Sequence, residues 1–143
     1  MKVTQVSVFL ENTAGHLREV TGILAESDIN IRALSLADTA QFGILRLIVN
    51  RHEEACRVLK DAHYTVRETD VLVVETEDKP GGLQGVLKVF EETGLNVEYM
   101  YAFVEKSKDN AALVFRLEHI DRAIEALVSR GYTLLTNRDL QKL

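Results

Sequence analysis

At 143 residues the chain has room for one ordinary domain or two very small ones. A hydrophobic share of 46% suits a packed core, but a module of half this length buries too little surface to stand well alone. A formal net charge of −5 argues against a nucleic-acid partner, which selects a basic face, and no apolar run approaches the roughly 20 residues that span a bilayer.

The chain opens on Val3–Leu10, rich in β-branched residues and read as a strand with no signal peptide ahead of it. A turn with Gly15 leads into a helix carrying Leu17, Val20, Ile23 and Leu24 at helical spacing, and Asp28 marks its end. Strands near Asn30–Leu36 and Gly43–Val49, a helix over His52–Ala62 and a last short strand from Tyr64 complete the set. Glu68-Thr69-Asp70 reads as a short polar join, too short for independent movement on either side.

The order then repeats. Val71–Thr76 is a strand, Pro80-Gly81 a turn, and Leu83, Val86, Val89 and Phe90 the apolar stripe of a helix ending at Gly94. Strands follow at Asn96–Phe103 and Ala111–Leu117, then a helix over Ile120–Arg130 and a strand from Tyr132. Residues 12 and 78, like 30 and 96, match at an offset of 66; Glu53, Ala55, Leu59 and Tyr64 match Asp121, Ala123, Leu127 and Tyr132 at 68. The two extra residues of the second copy fall around Lys106–Asn110, a polar stretch suited to a hairpin tip.

Two β-α-β-β-α-β repeats predict an α+β chain of two split βαβ, ferredoxin-like modules, residues 1–69 and 70–143. Right-handed crossovers give each a four-stranded antiparallel sheet with both helices on one face. Gly43–Val49 (apart from Arg46), Val71–Val74 and the Tyr99–Phe103 stretch are apolar on both faces, so the second sheet face is expected to be covered, within the chain or in a homodimer.

Strand, glycine turn and helix is a ligand-binding geometry, because the first helical turn offers unpaired N–H groups and glycine lets a ligand approach them. Gly15 and Gly81 stand at that point, although the same residues also simply make turns. Asn12 with Asn30, and Asp78 with Asn96, place short polar groups after the first strand and before the second. Both positions are expected at one end of the sheet, where with the helix N-terminus they would hold the two ends of a zwitterion. Asn30 and Asn96 are equally well read as residues that follow helix C-termini.

Asp78-Lys79-Pro80-Gly81-Gly82-Leu83 with Gly94-Leu95-Asn96-Val97 resembles the D/N-x-P-G-x-L loop and G-x-N-[IV] element of the ACT domain family, regulatory modules of amino-acid metabolism. Asn12-Thr13-Ala14-Gly15-His16-Leu17 with Asp28-Ile29-Asn30-Ile31 is similar, with Ala14 in place of the proline. The resemblance implies a non-enzymatic amino-acid sensor without cofactor, its ligand held at an interface between paired modules. By position, the ligand contacts it implies are Asn12, Ala14, Gly15, His16, Leu17, Asn30 and Ile31 in the first copy. In the second they are Asp78, Pro80, Gly81, Gly82, Leu83, Asn96 and Val97. The expected partners are a small-molecule amino acid, a second copy of the chain and a metabolic enzyme.

Other chemistry is thinner. The only cysteine, Cys56, matches Ile124 on a buried helical stripe, so it reads as a buried thiol and fits a reducing, cytoplasmic setting. His16, His52, His63 and His119 lack metal-ligand spacing. Gly81, Gly82 and Gly85 miss the dinucleotide fingerprint. An RNA-recognition module would need a basic, aromatic sheet, and an acylphosphatase-type enzyme an arginine in the first loop; neither is present. A protein-interaction or dimerisation module, or a regulatory subunit of a biosynthetic enzyme without its own ligand, stands as the other reading.

Overall fold

The computed structural model describes residues 1–11, 13–38, 42–103 and 109–142. These form two compact units, Thr4–Thr69 with Leu140–Leu143, and Asp70–Asp139 with Met1–Val3. The first contains β1 (Val3–Glu11), α1 (His16–Glu26), β2 (Ile31–Asp38), β3 (Phe42–Val49), α2 (His52–Asp61) and the opening of β4 (Thr65–Glu77). The second takes the rest of β4, then α3 (Gly82–Glu92), β5 (Val97–Ala102), β6 (Asn110–Leu117), α4 (Ile120–Ser129) and β7 (Thr133–Leu135).

Each module is a β-α-β-β-α-β unit with strands in the same order. In the first, β2, β3 and β1 lie side by side and β1 neighbours β4; in the second, β5, β6 and β4 lie side by side and β7 pairs β4. The pairings β1–β3, β2–β3, β4–β6, β5–β6 and β4–β7 are all antiparallel. Even the irregularities repeat: pairing slips by one residue between Ile31 and Ala33, and again between Val97 and Tyr99.

The helices cover one sheet face in each module. Val20 and Leu24 of α1 and Ala55, Cys56 and Leu59 of α2 bury against Val6, Val8, Leu10, Leu45, Leu47 and Val49. In the second module Val86, Val89 and Phe90 of α3 and Ala123, Ala126 and Leu127 of α4 close on Leu72, Val74, Leu113, Phe115 and Leu117. Phe90 and Phe115 meet edge to face at 5.1 Å. Burying each such side chain contributes about 1.5–3 kcal/mol, which is why the apolar period dictates the fold. On the opposite sheet face Val71, Val73 and Val114 are also buried, as the unbroken apolar runs require.

Three left-handed turns recur with the same backbone, two of them on different residues. Gly15 and Gly81 cap α1 and α3 at φ 94 and 89. Asp28 and Gly94 end those helices at φ 56 and 69, and His63 and Gly131 follow the second helices at φ 70 and 85. The left-handed conformation favours glycine, so the second copy holds these turns without strain while Asp28 and His63 tolerate them. An arginine secures the end of each first helix: Arg51 donates to the Ser27 and Asp28 carbonyls, and Arg122 to that of Thr93 at 2.9 Å.

One expectation is corrected and one further element appears. Glu68-Thr69-Asp70 is no loop but the middle of β4, a single strand of 13 residues shared by both units. Neither glycine nor proline interrupts it, and β-branched Thr65, Val66, Thr69 and Val71 favour extension. A short α5 (Asn137–Gln141) ends the chain. Its signal was the Thr-x-x-Asp box: Asp139 accepts from the Thr136 N–H at 2.8 Å, and Thr136 Oγ1 accepts from the Asp139 N–H at 3.2 Å. Positions 106–108 of the expected hairpin tip lie outside the described residues; Asp109 is in a turn and Asn110 opens β6.

Candidate functional site

Each loop is built by the same turn. Thr13 N–H donates to the Glu11 carbonyl at 2.8 Å, and Lys79 N–H to that of Glu77 at 3.0 Å. Left-handed Gly15 and Gly81 then launch the helices, their carbonyls accepting from Glu19 and Gly85 at 2.9 and 3.0 Å. Asn12 lies outside the described residues. Ala14, Asp78 and Pro80 are exposed in the turns, and Leu17 and Leu83 are exposed on the first helical turn. The second loop is tied to its sheet, Asp78 N–H donating to the Asp109 carbonyl at 2.9 Å.

The strand register overturns one expected convergence. Glu11 lies opposite Phe42 while Ile31 lies opposite Val49, so Asn30 and the first loop stand at opposite ends of β3. Seven residue steps at about 3.4 Å put them roughly 24 Å apart along the strand. In the second module Glu77 pairs Asn110 while Val97 pairs Leu117, which separates Asn96 from Asp78–Leu83 in the same way. The first two strands of a split βαβ unit run parallel, so the end of one and the start of the next necessarily lie at opposite edges. Asn30 and Asn96 are exposed, and Ile31 and Val97 pack against the edges of their cores.

The two loops differ in what surrounds them. In the first module His16 lies edge-on to Tyr64 with ring centroids 6.5 Å apart, and its Nε2 is 3.2 Å from Thr13 Oγ1. The Tyr64 hydroxyl is also held by the Glu19 carboxylate; burial first, and that carboxylate second, push the phenol up to about 12. On the β2–β3 side of the loop, away from Tyr64, a hollow of about 80 Å³ is lined by Leu10, Thr13, His16, Leu17, Leu36 and Gly43 among others.

In the second module the residues equivalent to His16 and Glu19 are Gly82 and Gly85. Gly82 is forced, because a Cβ there would stand 2.4 Å from the Glu77 carbonyl and 3.2 Å from Thr76 Oγ1. At Gly85 a Cβ would come within 2.9 Å of the Tyr132 hydroxyl. A cleft of about 470 Å³ opens here between the loop, the end of β4 and the start of β7. Glu75, Glu77, Lys79, Gly82, Gly85 and Tyr132 are among its lining residues. Lys79 Nζ pairs with Glu77 at 2.5 Å, holding the Glu77 carboxyl below its usual range. Tyr132 and Glu75 were not expected at the site. The signal lay in the repeat itself, since two matched tyrosines face glutamate in one copy and glycine in the other.

Cys56 is buried and hydrogen-bonded to Glu68 at 3.3 Å; desolvation chiefly pushes its thiol up to about 12, far from a nucleophile's range. Among the described residues no group of three or more His, Cys, Asp or Glu could hold a metal, and no helix is long and apolar enough to cross a membrane.

A tandem pair of ferredoxin-like modules, each with a glycine-turned loop at the same place, defines the class of protein. The chain belongs to the ACT domain pair family, whose profile matches residues 1–143. It is similar over 100% of its length to 98% of protein BT0572 from Bacteroides thetaiotaomicron, at 41% identity and a TM-score of 0.93. The ligand-free regulatory subunit of aspartate kinase from Thermus thermophilus shares the fold at 16% identity and a TM-score of 0.65, over 90% of this chain and 92% of that one. The corresponding subunit from Thermus flavus does so at 15% identity and 0.60, over 88% and 90%. A search of curated protein sequences gave no match.

Proposed function

We propose that this chain is a stand-alone regulatory protein that senses a free amino acid, held where the loop of one module meets the strand start of another. The observation that carries this reading is the strand register. Asn30 and Asn96 cannot reach their own loops, but they would reach those of a second copy whose β2 or β5 runs antiparallel alongside. β2 and β5 end their sheets and so offer a free edge for such pairing. A ligand that touches two modules stabilises their association, which makes the association the signal. The structural relatives include regulatory subunits of aspartate kinase, which supports a biosynthetic enzyme as the recipient of that signal.

A panel of the common amino acids, followed by thermal unfolding, tests the reading. A ligand bound only by the folded chain raises the midpoint; no rise with any of them at millimolar concentration would sink it. A dimerisation module without ligand is the second reading, favoured by Leu34, Leu36 and Phe42, which are 40%, 52% and 56% exposed beside the β2 edge. That reading predicts a dimer in sedimentation and no response to any amino acid.

A further inference from the structure

The two modules leave unequal free edges. β2 and β5 each end a sheet, and each keeps one row of backbone groups with no strand beside it among the described residues. On β2, Leu34 and Leu36 lie opposite Leu47 and Leu45 of β3, on the face the helices cover, and yet both are exposed. Leu17 of α1, also exposed, lines the same hollow as Leu36 at the end of the strand. β5 has no counterpart to this patch, because none of its large apolar residues is exposed. Its Glu98 is already 3.7 Å from Arg116 of its own module.

We propose that β2 pairs antiparallel with β2 of a second copy about a two-fold axis at Ser35, joining two first modules into a closed dimer. The strand is complementary to itself. Arg32-Ala33-Leu34-Ser35-Leu36-Ala37-Asp38 has the same order of small and large residues in both directions, with opposite charges at its ends. In this register Ser35 meets Ser35, Leu34 meets Leu36, Ala33 meets Ala37, and at each end Arg32 falls opposite Asp38. Parallel pairing would set arginine beside arginine and aspartate beside aspartate. A slip of two residues sets a charge against a leucine, and a slip of one carries the leucines to the wrong face. Paired on itself about Met100, β5 would put Glu98 opposite Ala102, with no charge match. A contact that uses the same patch on both chains closes at two copies and leaves β5 outside. The pairing deepens the proposed function and rests on it in one respect: Asn30 falls just past Asp38 of the second copy, at the strand end beside that copy's first loop. Both ligand sites of the dimer are then built from first modules.

Sedimentation of the full chain should give a dimer. Leu36→Lys should weaken it at least about tenfold by setting a charge against the opposite leucine, and Ala102→Lys, at an exposed position of β5, should leave it unchanged. Directly opposed Cα atoms of an antiparallel pair lie about 4.5–5.5 Å apart, within the span of a disulfide. Under a mild oxidant Ser35→Cys should therefore form a covalent dimer. Ala37→Cys, whose two copies would lie about 14 Å apart along the strands, should not. The unmodified chain, its one cysteine buried, is the control. Circular dichroism establishes that the variants fold; if Leu36→Lys does not, the two cysteine variants decide. A monomeric chain overturns the proposal, as does a dimer broken by Ala102→Lys and not by Leu36→Lys, or a cross-link in Ala37→Cys without one in Ser35→Cys. These readouts use no ligand, so they stand apart from the amino-acid response. A dimer cross-linked at Ser35→Cys whose unfolding answers to no amino acid keeps the pairing and sinks the sensor.

Discussion

The two loops of this chain sit on the same scaffold and have been finished differently. Around Gly15 the chain spends its own side chains, His16, Glu19 and Tyr64, on one another. Around Gly81 two glycines replace two of those side chains and let the Glu77 carbonyl and the Tyr132 hydroxyl approach the helix closely, beside a cleft of about 470 Å³. Repetition preserves what packing demands and releases what it does not. The helical stripes, the bulges in β2 and β5 and the three left-handed turns are all kept.

The largest losses are expected in the cores, where the copies should behave alike. Leu24 and Phe90 are equivalent and buried, so Leu24→Ala and Phe90→Ala should each destabilise the chain, by about 2–5 and about 3–5 kcal/mol in denaturant titrations. A negligible loss at either would mean that its module is not packed as described. The loops should then part company. Gly82→Ala drives a Cβ into the Glu77 carbonyl and should cost about 1–3 kcal/mol, the usual range for overpacking. His16→Gly removes only a half-exposed ring and should cost less.

The left-handed turns sharpen the contrast at a smaller scale. Gly94→Ala should lower stability by about 1 kcal/mol or more, whereas Asp28→Gly should raise it by up to about 1 kcal/mol. The smallest effect is in the pH profile. Tyr64, held protonated by burial and by Glu19, has a folded-state value of about 12, above that of a free phenol near 10. Its contribution to stability is therefore complete below about pH 10 and is lost as pH rises toward 12. Spectrophotometric titration should show a late phenol that is absent in Tyr64→Phe.

Much of this was legible in the sequence because it depends on local period and on repetition. Leu17 to Leu24 and Leu83 to Phe90 announce helices, and paired offsets of 66 and 68 announce two copies. Both glycine turns were found where the helices begin. What failed was geometry that a linear pattern does not carry. Asn12 with Asn30 looked like one site, yet crossing from β1 to β2 carries the chain to the far end of the sheet. The polar stretch at 68–70 looked like a join, but with no residue to break extension the strand runs through it. The close approach of Tyr132 to α3 was hidden for a different reason: it depends on a side chain that Gly85 lacks, and Gly85 is informative only beside Glu19.

Under the proposed reading a free amino acid touches the loop of one module and the strand start of another. Backbone amide chemical shifts, followed while the full chain is titrated with whichever amino acid raises its unfolding midpoint most, test this directly. The predicted result is joint changes at a loop, Thr13–Leu17 or Asp78–Leu83, and at a strand start, Asn30–Ile31 or Asn96–Val97. Changes at a loop with both strand starts still would contradict it.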